Sequence, residues 1–195
     1  MSMLRRPEIM CFAGPNGSGK STLTQLILPD VLGSYINADE IQRYTFCSTL
    51  EAAQKAESLR EEALTQKEDF AFETVLSTDR NLLLLRRAKE QGYFIRCVFV
   101  LTCNPNINVQ RVRKRVLKGG HGVPEDKIVS RFYKSLDMVK ELIPVCDRIS
   151  IYDNSGLEPF RIYKKRDQEE TYWENEFWRC AQIEKLVGKN SFCSK

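Results

Sequence analysis

Short apolar runs alternate along the chain with longer amphipathic stretches. "EIMCFAG" (8–14) is almost continuously apolar and predicts a buried strand leading into a loop. "GKSTLTQLIL" (19–28) predicts the helix that follows, stopped by Pro29. "GSYINADEI" (33–41) reads as a strand and then a helix start. Residues 48–68 place Ala52, Ala56, Leu59 and Ala63 on one face and charges on the other, which predicts a helix. "FAFET" (70–74) is a short strand. Residues 77–92 form a helix with Ser77 and Asp79 as start signals and Gly92 as a stop. "YFIRCVFVLT" (93–102) is a buried strand. Residues 104–120 predict a helix closed by a glycine pair. Residues 123–143 predict another, with Pro124 in its opening turn and a stripe of Phe132, Leu136, Val139 and Ile143. A strand and turn (148–156), a hairpin (160–173) and a closing helix (174–188) complete the chain. Tyr172, Trp173, Phe177 and Trp178 are expected to pack that last helix.

Strands alternating with helices imply an α/β fold of three layers: a mostly parallel sheet, five-stranded on this reading, covered on both faces. Nothing resembling a linker or repeat divides residues 1–195, so a single domain is expected, with a C-terminal hairpin-helix extension at about 157–195. Ligands of such folds sit at the carboxyl ends of the strands. The loops after residues 13, 37, 74, 102 and 152 should therefore share one cleft.

Composition narrows the class. The chain has 195 residues, 42% hydrophobic and 29% charged, with a formal net charge of +4, the profile of an ordinary soluble globular protein. The longest apolar runs, "NLLLLRR" and "CVFVLTC", fall far short of a membrane span, and the apolar N-terminal stretch is too short for a signal peptide. The seven cysteines include no C-x-x-C pair, and Cys11 and Cys97 lie within strand-like runs, so free thiols in a reducing cytoplasm are expected. One histidine cannot build a histidine-based metal cluster.

The loop after the first strand carries the clearest chemistry. "GPNGSGKST" (14–22) matches G-x-x-x-x-G-K-[ST] between a predicted strand and a predicted helix. Gly14, Gly17 and Gly19 let the backbone turn its N–H groups inward around an anion, helped by Pro15, Asn16, Ser18 and Thr22. Lys20 reaches the terminal phosphates, the Ser21 hydroxyl can ligate Mg²⁺, and the following helix aims its positive dipole end at the same point. Nucleoside triphosphate binding, with ATP as cofactor, follows. A guanine switch would carry Asn-Lys-x-Asp, which is absent. "LKGGHGV" (117–123) lacks the serine and glutamine of a transporter-ATPase signature.

Three further segments point towards phosphoryl transfer. Asp39, after "YIN", stands where a kinase can place the base for an attacking hydroxyl, though an aspartate there also suits a helix cap. Glu73 and Thr74 end a buried strand and should emerge at the cleft, either orienting the acceptor and the metal's waters or simply facing solvent. In the helix 104–120, at about 100° per residue, Arg111, Arg115 and Lys118 share one side and Val109, Val112 and Val116 another. A basic helix, the glycine hinge around His121 and a second helix make a lid over about 104–143, delivering arginines to the transferring group; a solvated cationic face is the plainer alternative. Few aromatics interleave with those arginines, which argues against nucleic acid as a partner. Asp153 and Asn154 either border the nucleotide base or cap the turn "DNSG".

The ordered set "GPNGSGKST", "INADEI", "FETVLS", "RVRKRVLKGGHGVPEDKIVSRFYKSL" and "IYDNS" resembles the zeta-toxin family of bacterial P-loop kinases, in its zeta-toxin-like predicted-ATPase branch, over roughly residues 8–156. The resemblance implies a P-loop NTPase fold and an ATP- and Mg²⁺-dependent kinase. Its acceptor would be a small-molecule hydroxyl, with UDP-N-acetylglucosamine as the family's substrate, and its partner a small antitoxin protein. It implies that Lys20 and Ser21 hold phosphates and metal, that Asp39 is the catalytic base, and that Glu73 and Thr74 belong to the acceptor side, where His121 is also placed. Arg111 or Arg115, with Arg131, would stand for the lid arginines. The chain departs from the pattern where Glu73 and Thr74 are adjacent, and where His121, Gly122 and Val123 precede Pro124. A kinase for another acceptor, such as a nucleic-acid end or an antibiotic, and an ATP-binding regulatory module without transfer, stay open as alternatives.

Overall fold

At the centre of the computed structural model, which describes residues 5–27 and 33–189, strand β1 (Glu8–Ala13) has five of its six residues buried. Both its faces are covered, which is why its sequence is apolar from Ile9 onwards instead of alternating. The other elements in order are α1 (Lys20–Ile27), β2 (Ser34–Ile36), α2 (Ala38–Thr45), α3 (Thr49–Gln66), β3 (Phe70–Thr74), α4 (Arg80–Glu90), β4 (Phe94–Leu101), α5 (Pro105–Leu117), α6 (Glu125–Asp137), α7 (Val139–Leu142), β5 (Arg148–Asp153), β6 (Phe160–Arg166), β7 (Glu169–Tyr172) and α8 (Cys180–Val187). The expected helix stop at Pro29 lies outside the described residues.

The strands form one sheet in the order β2-β3-β1-β4-β5-β6-β7. The pairs β2–β3, β3–β1, β1–β4 and β4–β5 are parallel, and β5–β6 and β6–β7 are antiparallel. This corrects the five-stranded expectation to a mixed, seven-stranded sheet. The C-terminal hairpin does not stand apart: β6 pairs with the free edge of β5, from Arg148↔Arg166 to Asp153↔Phe160, and satisfies backbone groups that would otherwise be open to solvent or to another strand.

The strand alternation sends Ile9, Cys11 and Ala13 to one face, into the larger core with α3, α4, α7 and α8. It sends Met10 and Phe12 to the other face, with Leu23 of α1, Ala71, Val98 and Val100. A smaller cluster of Val109, Val112 and Ile128 joins α5 to α6. Among the described residues no helix is long and apolar enough to cross a membrane, and the six described cysteines are free.

Four helical expectations change. On α3, Leu64 is buried with Ala52, Ala56 and Ala63, whereas Leu59 is exposed. The single helix over 123–143 is two, broken at Met138, with Val139 and Leu142 buried in α7. The closing helix begins only at Cys180, because Asn175 Oδ1 accepts the N–H groups of Phe177 (2.9 Å) and Trp178 (2.8 Å) and holds that stretch in a turn. On α5, Val109 and Val112 pack as expected, whereas Val116, in the last turn, is exposed.

Candidate active site

The loop between β1 and α1 is held by steric necessity. Gly14 has φ +136°, and a Cβ there would sit 2.0 Å from the Val100 carbonyl oxygen of the neighbouring strand, so only glycine lets β1 hand the chain to the loop at this spacing. The Gly14 N–H donates to the Thr74 carbonyl at 3.2 Å, and the Ser18 N–H closes the turn onto the Pro15 carbonyl at 3.2 Å. The Lys20 ammonium lies buried on the loop floor, donating to the carbonyls of Gly14 (2.7 Å) and Pro15 (3.1 Å). Burial pulls its pKa down from 10.5 to about 8; the carboxylates of Glu73 and Asp39 oppose that fall and the Arg115 guanidinium adds to it.

Side chains from distant segments brace the loop from outside. Asn108, fully buried on α5, donates from Nδ2 to the Asn16 carbonyl at 2.6 Å, while its Oδ1 accepts from the Thr102 hydroxyl. Asn154 donates from Nδ2 to the Ser18 carbonyl at 2.8 Å, with Arg111 at 3.5 Å from the same oxygen. Asn154 thus braces the phosphate loop. Asp153 takes the turn-cap role, accepting from the Ser155 N–H (3.1 Å) and hydroxyl and from Asn175 Nδ2 (2.8 Å). Asn108 was absent from the sequence-based set. Its one signal is a lone amide beside the apolar Val109 and Val112 stripe.

In front of the loop opens a cleft of about 460 Å³. Asn16, Gly17, Gly19, Lys20, Ser21 and Thr22 line one side, and Asp39, Glu73, Thr74, Arg111 and Arg115 the others, with Val75 and Val112. Gly14, Pro15 and Ser18 lie behind it, buried in the loop's support. The cap of α2 is Asn37, whose Oδ1 accepts the Asp39 N–H at 2.8 Å, so the Asp39 side chain has no capping role and is exposed in the cleft. Glu73 accepts from the Ser21 hydroxyl (3.2 Å) at one carboxylate oxygen and from the Tyr35 hydroxyl (2.9 Å) at the other. Thr74 is more enclosed: its hydroxyl oxygen accepts from the Leu76 N–H (3.0 Å) and Asn81 Nδ2 (2.8 Å), holding Leu76 at φ +53° in the turn after β3.

Two expected residues stand off the cleft. His121 is exposed and does not line the cleft, and its backbone carbonyl accepts from Arg115 Nε at 3.0 Å. Arg131, on α6, is half-buried and does not line the cleft. No group of three or more His, Cys, Asp or Glu side chains is gathered as a metal cluster among the described residues.

The arrangement is a phosphate cradle, an ammonium, two carboxylates and two guanidinium groups around one opening. The chain matches the zeta toxin family over residues 1–168. A protein of Haemophilus influenzae, described as uncharacterized, is 30% identical over 126 residues, covering 62% of this chain and 89% of its own. A structure from the PezAT chromosomal toxin-antitoxin system of Streptococcus pneumoniae is similar at a TM-score of 0.59 and 20% identity, over 83% of this chain and 72% of that one. The AvrRxo1-ORF1:ORF2 complex solved with ATP is similar at a TM-score of 0.71 and 14% identity; the match covers 93% of this chain and 64% of that one, just under two thirds of its length. At such identities the solved structures speak for the fold, and the family match speaks for descent. The chain belongs to the zeta toxin family, a family of ATP-dependent phosphotransferases.

Proposed function

We propose that the protein transfers the γ-phosphoryl group of ATP to the hydroxyl of a small molecule, with nucleotide sugars of the UDP-N-acetylglucosamine type as the first acceptor class. The observation that carries this reading is the shared cleft: Asp39 and Glu73 open onto the same space as Lys20 and Ser21. A nucleotide-holding module needs the cradle and the ammonium. It does not need an uncommitted carboxylate opposite them.

The loop amides and Lys20 hold the triphosphate, with the ammonium turning from the carbonyls of Gly14 and Pro15 to the phosphate oxygens. The Ser21 hydroxyl and the Glu73 carboxylate, 3.2 Å apart, are hard oxygen donors of the type Mg²⁺ takes, and these two residues would hold it. Bound there, it would supply positive charge against the terminal phosphates. Asp39 accepts the proton of the acceptor hydroxyl as its oxygen bonds to the γ-phosphorus. The bond from that phosphorus to the bridging oxygen breaks, and ADP leaves with the electron pair. Arg111 and Arg115 face the transferring group and stabilise its charge. Thr74 contributes to the acceptor wall. Residues 104–143 act as the lid, and its closure is what would carry Arg131 and His121 towards the acceptor. A small antitoxin protein is the partner this reading implies.

The test is ATP turnover with Mg²⁺ against a panel of hydroxyl compounds, UDP-N-acetylglucosamine among them, with products identified by mass. A product heavier by one phosphoryl group supports the reading. Nucleotide binding without transfer to any acceptor overturns it.

A further inference from the structure

We propose that Asn37 and Tyr35 form a positioning relay that sets the two cleft carboxylates, holding Asp39 through its backbone and Glu73 through a phenol. The proposal rests on the phosphotransferase reading above and adds residues to its machinery.

The relay begins in strand geometry. Tyr35 sits opposite Ala71 in the β2–β3 register, and Glu73 lies two residues further along β3, on the same face. Asn37 follows Tyr35 by two residues and shares that face. The face is the one covered by α1, in which Ser21 is the second residue, and Tyr35 packs there against the cluster containing Leu23 and Ala71. Four polar side chains from three segments are thereby brought into one line.

The direction of every hydrogen bond in that line is set by its first member. Asn37 Oδ1 is engaged by the Asp39 N–H at 2.8 Å, so the amide must turn its Nδ2 towards the Tyr35 oxygen, at 2.7 Å. A phenol has one hydrogen. With its oxygen already accepting from Asn37, Tyr35 gives that hydrogen to Glu73 Oε1 at 2.9 Å. The remaining oxygen, Oε2, accepts from the Ser21 hydroxyl at 3.2 Å. Glu73 is therefore oriented towards the nucleotide-side hydroxyl of Ser21 and is not free to swing into the open part of the cleft. The same asparagine fixes where α2 begins and hence where Asp39 stands. One side chain couples the phosphate side of the reaction to its base.

Tyr35→Phe removes the phenol hydroxyl and keeps the packing ring. Asn37→Ser keeps a cap oxygen but is too short to reach Tyr35. We expect each to lower kcat by about tenfold while KM for ATP stays within about twofold, because an interaction with a charged group is lost without touching the phosphate cradle. In a double-mutant cycle with Glu73→Gln, the second change should add little to the first, both in kcat and in the urea midpoint of unfolding. The urea measurement reads the contact without any catalysis. A Tyr35→Phe variant with undiminished kcat, or effects that add fully in both measurements, overturns the relay and leaves the kinase reading standing. A wild-type chain that phosphorylates no acceptor overturns the kinase reading, and the relay's catalytic role with it.

Discussion

Asn108 Nδ2 lies 2.6 Å from the Asn16 carbonyl oxygen, which fastens the first turns of α5 to the phosphate loop. If the lid we propose closes, the start of α5 cannot swing without breaking a buried hydrogen bond, so closure would fall to the segment beyond it: the last turn of α5, the glycine stretch around His121, and α6. Arg111 sits on the fastened part and Arg115 at the boundary, with its Nε already on the His121 carbonyl.

Asn108→Ala should destabilise the protein by about 2 kcal/mol, since it leaves the Asn16 carbonyl without its side-chain partner and empties a buried site. Urea unfolding measures this. ATP binding should weaken in the same variant because the loop loses a brace. Unchanged stability and affinity would mean that the loop's own turn suffices.

Asp39→Asn should keep ATP affinity within a few-fold and lower transfer by roughly 10²–10⁴, the usual contribution of a general base. Equilibrium nucleotide binding and steady-state transfer read the two halves separately. Full transfer in this variant would assign the base elsewhere.

The Lys20 ammonium, with its pKa pulled down to about 8 by burial, makes ATP binding pH-dependent. Phosphate oxygens favour the protonated form, so affinity should be steady below pH 8 and fall by about tenfold per pH unit above it, with proton uptake on binding. Calorimetry in buffers of different ionisation enthalpy measures that uptake. For folding the sign is opposite: the folded value lies below the ordinary 10.5, so the cost of burying the cation is fully present below pH 8 and is relieved as pH rises towards 10.5. A flat affinity profile between pH 7 and 9, on the order of the interval tested, would show that the ammonium leaves its buried seat before nucleotide arrives.

Arg115→Ala should lower kcat by roughly 10–100-fold with a smaller change in KM for ATP, and Arg131→Ala should cost less, because only the first lines the cleft in this arrangement. Equal losses in the two variants would show that closure carries α6 onto the transferring group.

The phosphate loop was legible because its signal is contiguous. Gly14, Gly19, Lys20 and Ser21 lie within eight positions, and the strand before and helix after them have their own local patterns. Glu73 was legible as a strand-end residue, since a charged side chain at the carboxyl end of a buried strand emerges at the cleft, and Asp39 as the first charge of the helix that follows the second strand. Asp39 carried two local readings, base or cap. The cap at Asn37 removes the second and leaves the first as a proposal, a shift of two residues that propensity alone does not resolve, as both residue types cap well.

The braces were not legible. Asn108 and Asn16 are 92 residues apart, Asn154 and Ser18 are 136 apart, and Tyr35 and Glu73 are 38 apart. A hydrogen bond between such residues depends on sheet order and register, and neither is encoded in a local period. The same holds for the hairpin: the alternation in 160–173 announces two strands, but their place on the edge of β5 depends on which edge the parallel set leaves open. Local chemistry, the phosphate grip and the positions where charge leaves a strand, is written into neighbouring residues through backbone geometry and periodicity. The alignment of those groups into one site arises from long-range packing, because the sheet brings together side chains that no short stretch of chain contains.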